Sequence, residues 1–307
     1  MNEILTGRHN PMRTRKAAIK KLVWAAAGSC SLSGLYAWRL EDHYLRIERR
    51  EMPLPGMGSG FDGATIAHIS DLHRSPIVLD KYLRRCIYQI NALDADFVAI
   101  TGDFITGSRF YARRVCRALQ HLRPKVATVA CLGNHDYGVF HPNTLRSEAA
   151  KRRRRGLADY LTHRLWHADI FVMLNESRTF KRGDSTLQFV GLEDYWTSRY
   201  DPTLAFEMIH SHLPTVALCH NPDAAAEVAQ FGAHWVLAGH THGTDTQTKL
   251  LNRAFIPSAN RNLFAGQYEL GEDRFLYINR GLAYRRRTLL NSRPEITLFT
   301  LRNAPEK

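Results

Sequence analysis

Cysteine is scarce in this chain. Only five of the 307 residues are cysteine, and no two of them form a C-x-x-C pair. Their odd number argues against a disulfide framework or a structural zinc knuckle. Cys131 and Cys219 lie inside apolar segments, where cysteine is usually a small buried hydrophobe. Disulfide-stabilised folds and thiol catalysis are therefore disfavoured.

Acidic residues are also few, and the sequence has no repeat or low-complexity segment. The 29 acidic residues are outnumbered by 42 basic ones, which gives a net charge of +13 and a pI near 9.8. Such a charge indicates an anionic partner, namely a phosphorylated substrate, a nucleic acid or an acidic lipid surface, and does not choose among them. A composition of 44% hydrophobic and 23% charged residues is typical of a globular protein with a real core.

An uncharged stretch of 17 residues lies near the N-terminus. Residues 22–38 are mostly apolar or small and follow a basic segment, but 17 residues are at the short limit for crossing a bilayer, which takes about 20. The segment predicts a retained membrane anchor or uncleaved signal, with a cleaved signal and a first helix of the soluble fold as alternatives. The preceding positive charge would place the large domain on the extracytoplasmic side of the membrane.

Composition divides the rest of the chain. Residues 39–51 are charged and are expected to be a juxtamembrane segment, with a helix as one conformation open to it. Residues 52–60 are rich in proline and glycine and predict a linker. The expected organisation is a signal or anchor and juxtamembrane segment at 1–52, a linker at 53–60 and one folded domain at 61–307.

The folded part predicts alternating strands and helices. Apolar segments at 64–70, 97–101 and 126–132 predict strands, and helical spacing of apolar residues at 79–93 and near 110–121 predicts the helices between them. Such a succession favours parallel strands in a layered α/β core. Further strands are expected at 171–174, 179–182, 187–190, 216–219 and 235–238, and helices at 143–167, 202–212 and 223–231. Tail strands at 267–270, 275–279 and 296–301 predict a second sheet. The predicted fold is an α/β sandwich of two mixed β-sheets flanked by helices, plus an N-terminal hydrophobic helix.

Potential metal ligands follow five of the predicted strands. They are Asp71, His73, Asp103, Asn134, His220, His240 and His242. Loops at the carboxyl ends of parallel strands converge on one crevice, so we expect these side chains to meet. Aspartate and imidazole together suit Mn, Zn or Fe better than Mg or Ca. Any one of them alone would more often be a turn cap or a structural histidine.

These residues carry a family resemblance. Asp71-x-His73, Gly102-Asp103, Gly133-Asn134-His135-Asp136, His220 and Gly239-His240-x-His242 resemble, in this order, the calcineurin-like metallophosphoesterases. The resemblance covers about residues 61–302. Residues 279–282 and 293–296 resemble the bacterial YkuE/YaeI-like phosphodiesterase branch, which has an N-terminal anchor or export signal.

The resemblance implies a dinuclear metal site. One cation would be held by Asp71, His73, Asp103 and His242, and the other by Asp103, Asn134, His220 and His240. A hydroxide bridging the two divalent ions would attack phosphorus in line. His135 would protonate the leaving oxygen and Asp136 would orient the His135 imidazole.

The implied activity is hydrolysis of a phosphodiester or pyrophosphate bond. Lipid-linked or nucleotide-sugar substrates such as UDP-2,3-diacylglucosamine, used in lipid A biosynthesis, fit an anchored basic protein. The basic run at 151–155 is either a solvated turn or a patch for phosphate or anionic headgroups. A catalytically silent metal-stabilised scaffold and a nuclease are the alternatives, but no surface of interleaved aromatic and basic residues for nucleic acid is evident in the sequence.

Overall fold

The computed structural model of the chain describes residues 45–141, 156–243, 262–283 and 293–304, together with Lys20, Lys21, Trp24, Gly28 and Ser29. Most of the predicted anchor at 22–38 and all of the basic run at 151–155 lie outside these residues, so both stay predictions. Within the described residues, no helix combines the length and the hydropathy needed to span a bilayer.

Twelve strands among the described residues form two six-stranded sheets. In chain order they are β1 (Arg46–Pro55), β2 (Thr65–Ser70), β3 (Phe97–Thr101), β4 (Ala127–Cys131), β5 (Ile170–Val172), β6 (Glu176–Arg182), β7 (Ser185–Gly191), β8 (Thr215–Leu218), β9 (Trp235–Ala238), β10 (Gly266–Gly271), β11 (Arg274–Ile278) and β12 (Glu295–Ala304). The first sheet has the order β1-β12-β2-β3-β4-β5 and the second β10-β11-β9-β8-β7-β6. Strands β2 to β5 are parallel, as are β7, β8, β9 and β11, whereas β12 runs antiparallel to β2. The predicted α/β fold with two mixed sheets is confirmed.

Helices cover the outer faces of both sheets. Asp80–Ala92, Arg109–Leu119 and Leu157–Trp166 pack on the first sheet, and Pro202–Phe206 and Ala225–Gln230 on the second. Short 3-10 turns occur at Ser59–Phe61 and Pro222–Ala224. The first helix buries Tyr82, Leu83, Cys86, Ile87 and Ile90, which is the apolar stripe that the sequence predicts.

Large buried aromatic side chains fill the space between the two sheets. Phe97 of β3 packs against Phe189 of β7, with ring centroids 5.2 Å apart, and Trp235 and Phe299 lie in the same cluster. Since helices cover the opposite faces, the central strands are apolar on both sides. The four cysteines among the described residues are buried and unbridged, and burial raises the pKa of the Cys86 thiol to about 12. The edge of the sheets that carries the predicted ligands therefore rests on a rigid core.

The N-terminal boundary differs from expectation. Residues 46–55 form β1, which pairs in parallel with β12 from Arg46 opposite Glu295 to Pro55 opposite Ala304, so a helix over 46–51 is wrong. Met52 and Leu54 are fully buried, and the expected linker is part of the packed unit. Pro53 and Pro55 are tolerated because β1 is an edge strand, where an N–H can face away from the ladder. The tail strand β12 was expected in the second sheet but lies in the first, between β1 and β2.

Candidate metal centre

The seven predicted ligands converge at the carboxyl ends of strands from both sheets. Asp71 and His73 follow β2, Asp103 follows β3, Asn134 follows β4, His220 follows β8, and His240 and His242 follow β9. All seven side chains belong to buried residues. Five loops that are far apart in the sequence thus meet at one place, as the strand pattern predicts.

The backbone at most of these positions adopts a conformation that residues other than glycine rarely take. Five of the seven residues have positive φ: 50° at Asp71, 40° at His73, 54° at Asp103, 72° at His240 and 56° at His242. Positive φ curls the chain as the strand ends, which turns Asp71 and His73 to the same side. Such conformations persist where the surrounding structure enforces them, and they concentrate at functional sites.

One set of three ligands gathers around Asp71. The Nε2 atoms of His73 and His242 are 3.2 Å apart. Asp71 Oδ1 lies 3.6 Å from His73 Nε2 and 3.5 Å from His242 Nε2. Three donor atoms on two loops therefore face a common point.

A second set gathers around His240. Its Nδ1 lies 3.0 Å from Asn134 Oδ1 and 3.3 Å from His220 Nε2. Asp103 lies between the two sets, because its Oδ2 is 3.3 Å from His73 Nε2 and 3.4 Å from His220 Nε2. One carboxylate is thus within reach of both groups, as a ligand shared by two cations must be.

Glycine permits this close approach of the loops. Gly102 has a φ of +73°, and a Cβ there would lie 2.5 Å from Gly133 N and 2.8 Å from His220 Nδ1. A larger residue at position 102 would push apart the loops after β3 and β4, and with them Asp103 and Asn134.

The electrostatics of the cluster suit divalent cations. Burial alone would raise the pKa of the Asp103 carboxyl, but the imidazoles of His220, His135 and His73 hold that pKa well below its usual range. Burial likewise opposes ionisation of Asp71, yet His242 and His73 keep its pKa low. Asp71 Oδ1 and His240 Nε2 have no hydrogen-bond partner within the described part of the chain. Ionised oxygens and imidazole nitrogens without other partners are the donor set that Mn, Zn and Fe prefer, so the residues fit the predicted metals.

His135 lies beside the shared carboxylate. Its Nε2 is 3.9 Å from Asp103 Oδ2, and its backbone N–H donates to Asp103 Oδ1 at 2.8 Å. The ring also meets His73 edge to face, with centroids 4.8 Å apart. His135 therefore lies next to the candidate ligands Asp103 and His73, and it is 8% exposed.

Asp136 accepts three hydrogen bonds from the backbone of two loops. Its Oδ2 accepts hydrogen bonds from the backbone N–H groups of Gly133 at 3.0 Å and Phe104 at 3.3 Å, and its Oδ1 accepts from Ile105 at 3.1 Å. These bonds tie the loop after β3 to the loop after β4. They support a role in holding the loops in register, whereas orientation of the His135 imidazole by Asp136 stays a prediction.

Sequence reasoning missed the polar network behind Asp71. The buried Glu295 accepts hydrogen bonds through Oε1 from Tyr277 Oη at 2.9 Å and Thr297 Oγ1 at 2.8 Å, and its Oε2 accepts from Arg280 at 2.7 Å. Asn279 Nδ2 reaches Thr297 Oγ1 at 3.0 Å. A glutamate followed by apolar residues at the start of a strand was the sequence signal for a buried polar network.

This network fixes the segment that packs on Asp71. Asn279 Oδ1 accepts from Gly281 N at 2.7 Å, and Ala283 N donates to Asp71 O at 2.8 Å. Gly281 has a φ of +78°, and a Cβ there would lie 2.6 Å from Asp71 Cβ. The position of Asp71 therefore depends on Asn279 and Glu295.

Replacing Glu295 by glutamine is expected to destabilise the fold. The change removes the buried charge that pairs with Arg280 and should lower the free energy of unfolding by roughly 2 kcal/mol. Urea unfolding of the metal-free protein measures this. The matched control is Glu51→Gln, which breaks the exposed pair with Arg302 and should cost less than about 0.5 kcal/mol. Equal losses in the two variants would contradict the prediction.

Comparison with known proteins agrees with the geometry. The model of the calcineurin-like phosphoesterase family matches residues 64–244. UDP-2,3-diacylglucosamine pyrophosphatase LpxG of Chlamydia trachomatis is 29% identical and aligns with 87% of this chain and 92% of its own length. The uncharacterised metallophosphoesterase YkuE of Bacillus subtilis is 28% identical over 94% of this chain and 98% of its own. Phosphodiesterase YaeI of Escherichia coli is 28% identical over 77% of this chain and 81% of its own. The resemblance inferred from the motifs is confirmed.

Proposed function

Since the chain belongs to the calcineurin-like phosphoesterase family, we propose that it is a two-metal hydrolase that cleaves a phosphodiester or pyrophosphate bond. The observation that carries the proposal is the position of Asp103, whose Oδ2 lies 3.3 Å from His73 Nε2 and 3.4 Å from His220 Nε2. A single carboxylate between two imidazole-containing sets is the arrangement that a pair of neighbouring cations requires.

The ligands divide between two cation sites that share Asp103. Asp71, His73, Asp103 and His242 would hold one ion, and Asp103, Asn134, His220 and His240 the other. When bound, divalent ions such as Mn, Zn or Fe would supply an acidified water and neutralise charge on the phosphoryl oxygens.

His135 is suited to the proton transfer. Its backbone N–H is bonded to Asp103 Oδ1, so the loop that carries the imidazole is fixed relative to the shared ligand. The ring is not among the ligands that the resemblance assigns to either cation, and we assign it the donation of a proton to the leaving oxygen. Asp136 serves the same step by clamping the backbone of that loop.

The substrate we propose carries organic groups on both sides of the scissile linkage. Two relatives support this, because LpxG is named a UDP-2,3-diacylglucosamine pyrophosphatase and YaeI a phosphodiesterase. A nucleotide-linked acylated sugar fits both names. The uncharged segment at 22–38 and the net charge of +13 support attachment to a bacterial membrane and contact with its anionic surface, with the large domain on the extracytoplasmic side.

Hydrolysis assays of the purified protein test the reaction class. With manganese supplied, it is expected to cleave bis-p-nitrophenyl phosphate and UDP-2,3-diacylglucosamine, and to turn over p-nitrophenyl phosphate at least about 100-fold more slowly. The slower rate is expected because a monoester lacks the second group that contributes binding energy. A metal-loaded protein inactive on all three would favour the silent scaffold. Faster cleavage of DNA than of any of them would favour a nuclease.

Metal binding is expected to stabilise the fold. Manganese at 100 times its dissociation constant should add about 2.7 kcal/mol to the free energy of unfolding, because the ion binds the folded chain alone. Thermal unfolding before and after chelation, and after manganese is restored, measures the effect. His220→Ala removes a ligand of one cation and should reduce the gain. An unfolding midpoint that manganese leaves unchanged in the unaltered protein would contradict the proposed centre.

A further inference from the structure

Two aromatic side chains on the rim of the metal centre stay exposed although each contacts a buried histidine. Phe140 is 45% exposed, and its ring centroid lies 4.8 Å from that of His135 at an interplanar angle of 77°. Trp196 is partly exposed, and its centroid lies 4.6 Å from that of His240 at 89°. Each ring thus stands nearly perpendicular to an imidazole of the site.

The backbone holds both rings in place. Trp196 N donates to Asp194 Oδ1 at 2.9 Å, and Thr197 Oγ1 donates to the Asp194 carbonyl at 2.7 Å, which fixes a tight turn around the tryptophan. Ahead of Phe140, Asn134 Nδ2 donates to Val139 O at 2.6 Å and Val139 N donates to Asn134 O at 2.8 Å. The backbone next to each ring is therefore fixed by hydrogen bonds, which for Phe140 come from the candidate ligand Asn134.

The two rings come from different sheets. Phe140 belongs to the loop after β4 of the first sheet, and Trp196 follows β7 of the second, so the centre lies where both loops meet. Aromatic side chains around a small number of buried polar groups are typical of the lining of ligand sites. The buried candidate ligands would bind the phosphoryl group through the metal ions. The aromatic residues of the rim would instead contact the organic group attached to that phosphoryl.

We propose that Phe140 and Trp196 are specificity-determining residues, which contact a large apolar organic group esterified to the phosphorus. The proposal rests on the proposed phosphodiester or pyrophosphate hydrolysis and names the chemical class of the substrate. A methyl ester offers little apolar surface to either ring, whereas an octyl or phenyl group offers much more. Because burial of apolar surface is favourable, selectivity should rise with the apolar area of that group.

The test uses three diesters with the same p-nitrophenolate leaving group and a methyl, phenyl or octyl group as the second ester. The full-length protein, loaded with manganese, is assayed as it stands and as Phe140→Ala, Trp196→Ala and Trp196→Phe. The readout is the ratio of kcat/KM for the octyl or phenyl ester to that for the methyl ester. Metal content is measured in each preparation. Tyr88→Ala is the matched control, since Tyr88 is an aromatic residue 76% exposed on the helix Asp80–Ala92.

The unaltered protein is expected to prefer the octyl and phenyl esters. Either alanine variant should lower the ratio about tenfold, the size of effect that apolar contacts have on specificity. Trp196→Phe should retain most of the preference, and Tyr88→Ala should leave the ratio unchanged. Equal losses on all three esters, or a loss that follows metal content, would show a purely structural role and overturn the proposal. Absence of turnover on every ester by metal-loaded, unaltered protein would instead overturn the proposed function.

Discussion

Replacing Asp103 by asparagine is expected to lower kcat/KM on a diester by about 10,000-fold, equivalent to about 5.5 kcal/mol of transition-state stabilisation. The loss is large because Asp103 is the one carboxylate within 3.3 to 3.4 Å of both imidazole sets in the described structure. An amide supplies no negative charge to balance the cations. Steady-state kinetics and metal analysis of the same sample should show the activity and part of the metal lost together.

The control for this variant is Asp94→Asn. Asp94 also has a positive φ, 52° against 54° at Asp103, but it lies in the turn after a helix and pairs with Lys125 on the surface. Asparagine tolerates this backbone conformation, so neither substitution should disturb the local fold. Asp94→Asn is therefore expected to keep its metal and its activity. Near-normal turnover of Asp103→Asn with two metals bound would contradict the proposal that Asp103 is shared by two cations.

Much of the fold could be predicted from the sequence because the central strands are apolar on both faces and end abruptly. The strands at 97–101 and 235–238 have the bounds that were expected, each closed by a glycine and a polar residue. The helix over Asp80–Ala92 followed from its apolar spacing. These elements are determined by their own residues, and local patterns therefore suffice.

Strand β1 could not be predicted in the same way. Its first six residues, 46–51, are five charged residues and a single isoleucine, and no local pattern distinguishes them from a polar helix. The strand forms because β12, near the other end of the chain, offers it a free edge. Strand formation at an edge depends on the neighbouring strand more than on intrinsic propensity.

The candidate site divides along a similar line. Ligand residues could be found because metal binding demands particular side chains at strand ends. The residues that support them could not, because a hydrogen bond from Arg280 to Glu295 or from the Gly133 backbone to Asp136 depends on tertiary placement. Sequence therefore predicts which candidate ligands meet better than it predicts which residues hold them in place.

Changing His135 to glutamine is expected to lower kcat on a dialkyl diester by about 1,000-fold while metal content stays close to that of the unaltered protein. The rate should fall because glutamine cannot act as an acid near neutral pH. The metal content should stay unchanged because residue 135 lies outside both proposed ligand sets. Its Nε2 is 3.9 Å from Asp103 Oδ2, beyond the spacing of the other imidazoles around that oxygen. Kinetics and metal analysis on one preparation separate the two effects. His121→Gln, at an exposed histidine, is the control.

Varying the leaving group shows whether His135 acts as an acid. A p-nitrophenolate departs without protonation, whereas an alkoxide does not, so the loss in His135→Gln should be much smaller on a p-nitrophenyl diester than on a dialkyl diester. If the imidazole merely supported the loop, both substrates would lose equally. A uniform loss accompanied by reduced metal would assign His135 to the ligand shell. A loss that grows with the pKa of the leaving alcohol, at constant metal content, is the outcome that identifies an acid.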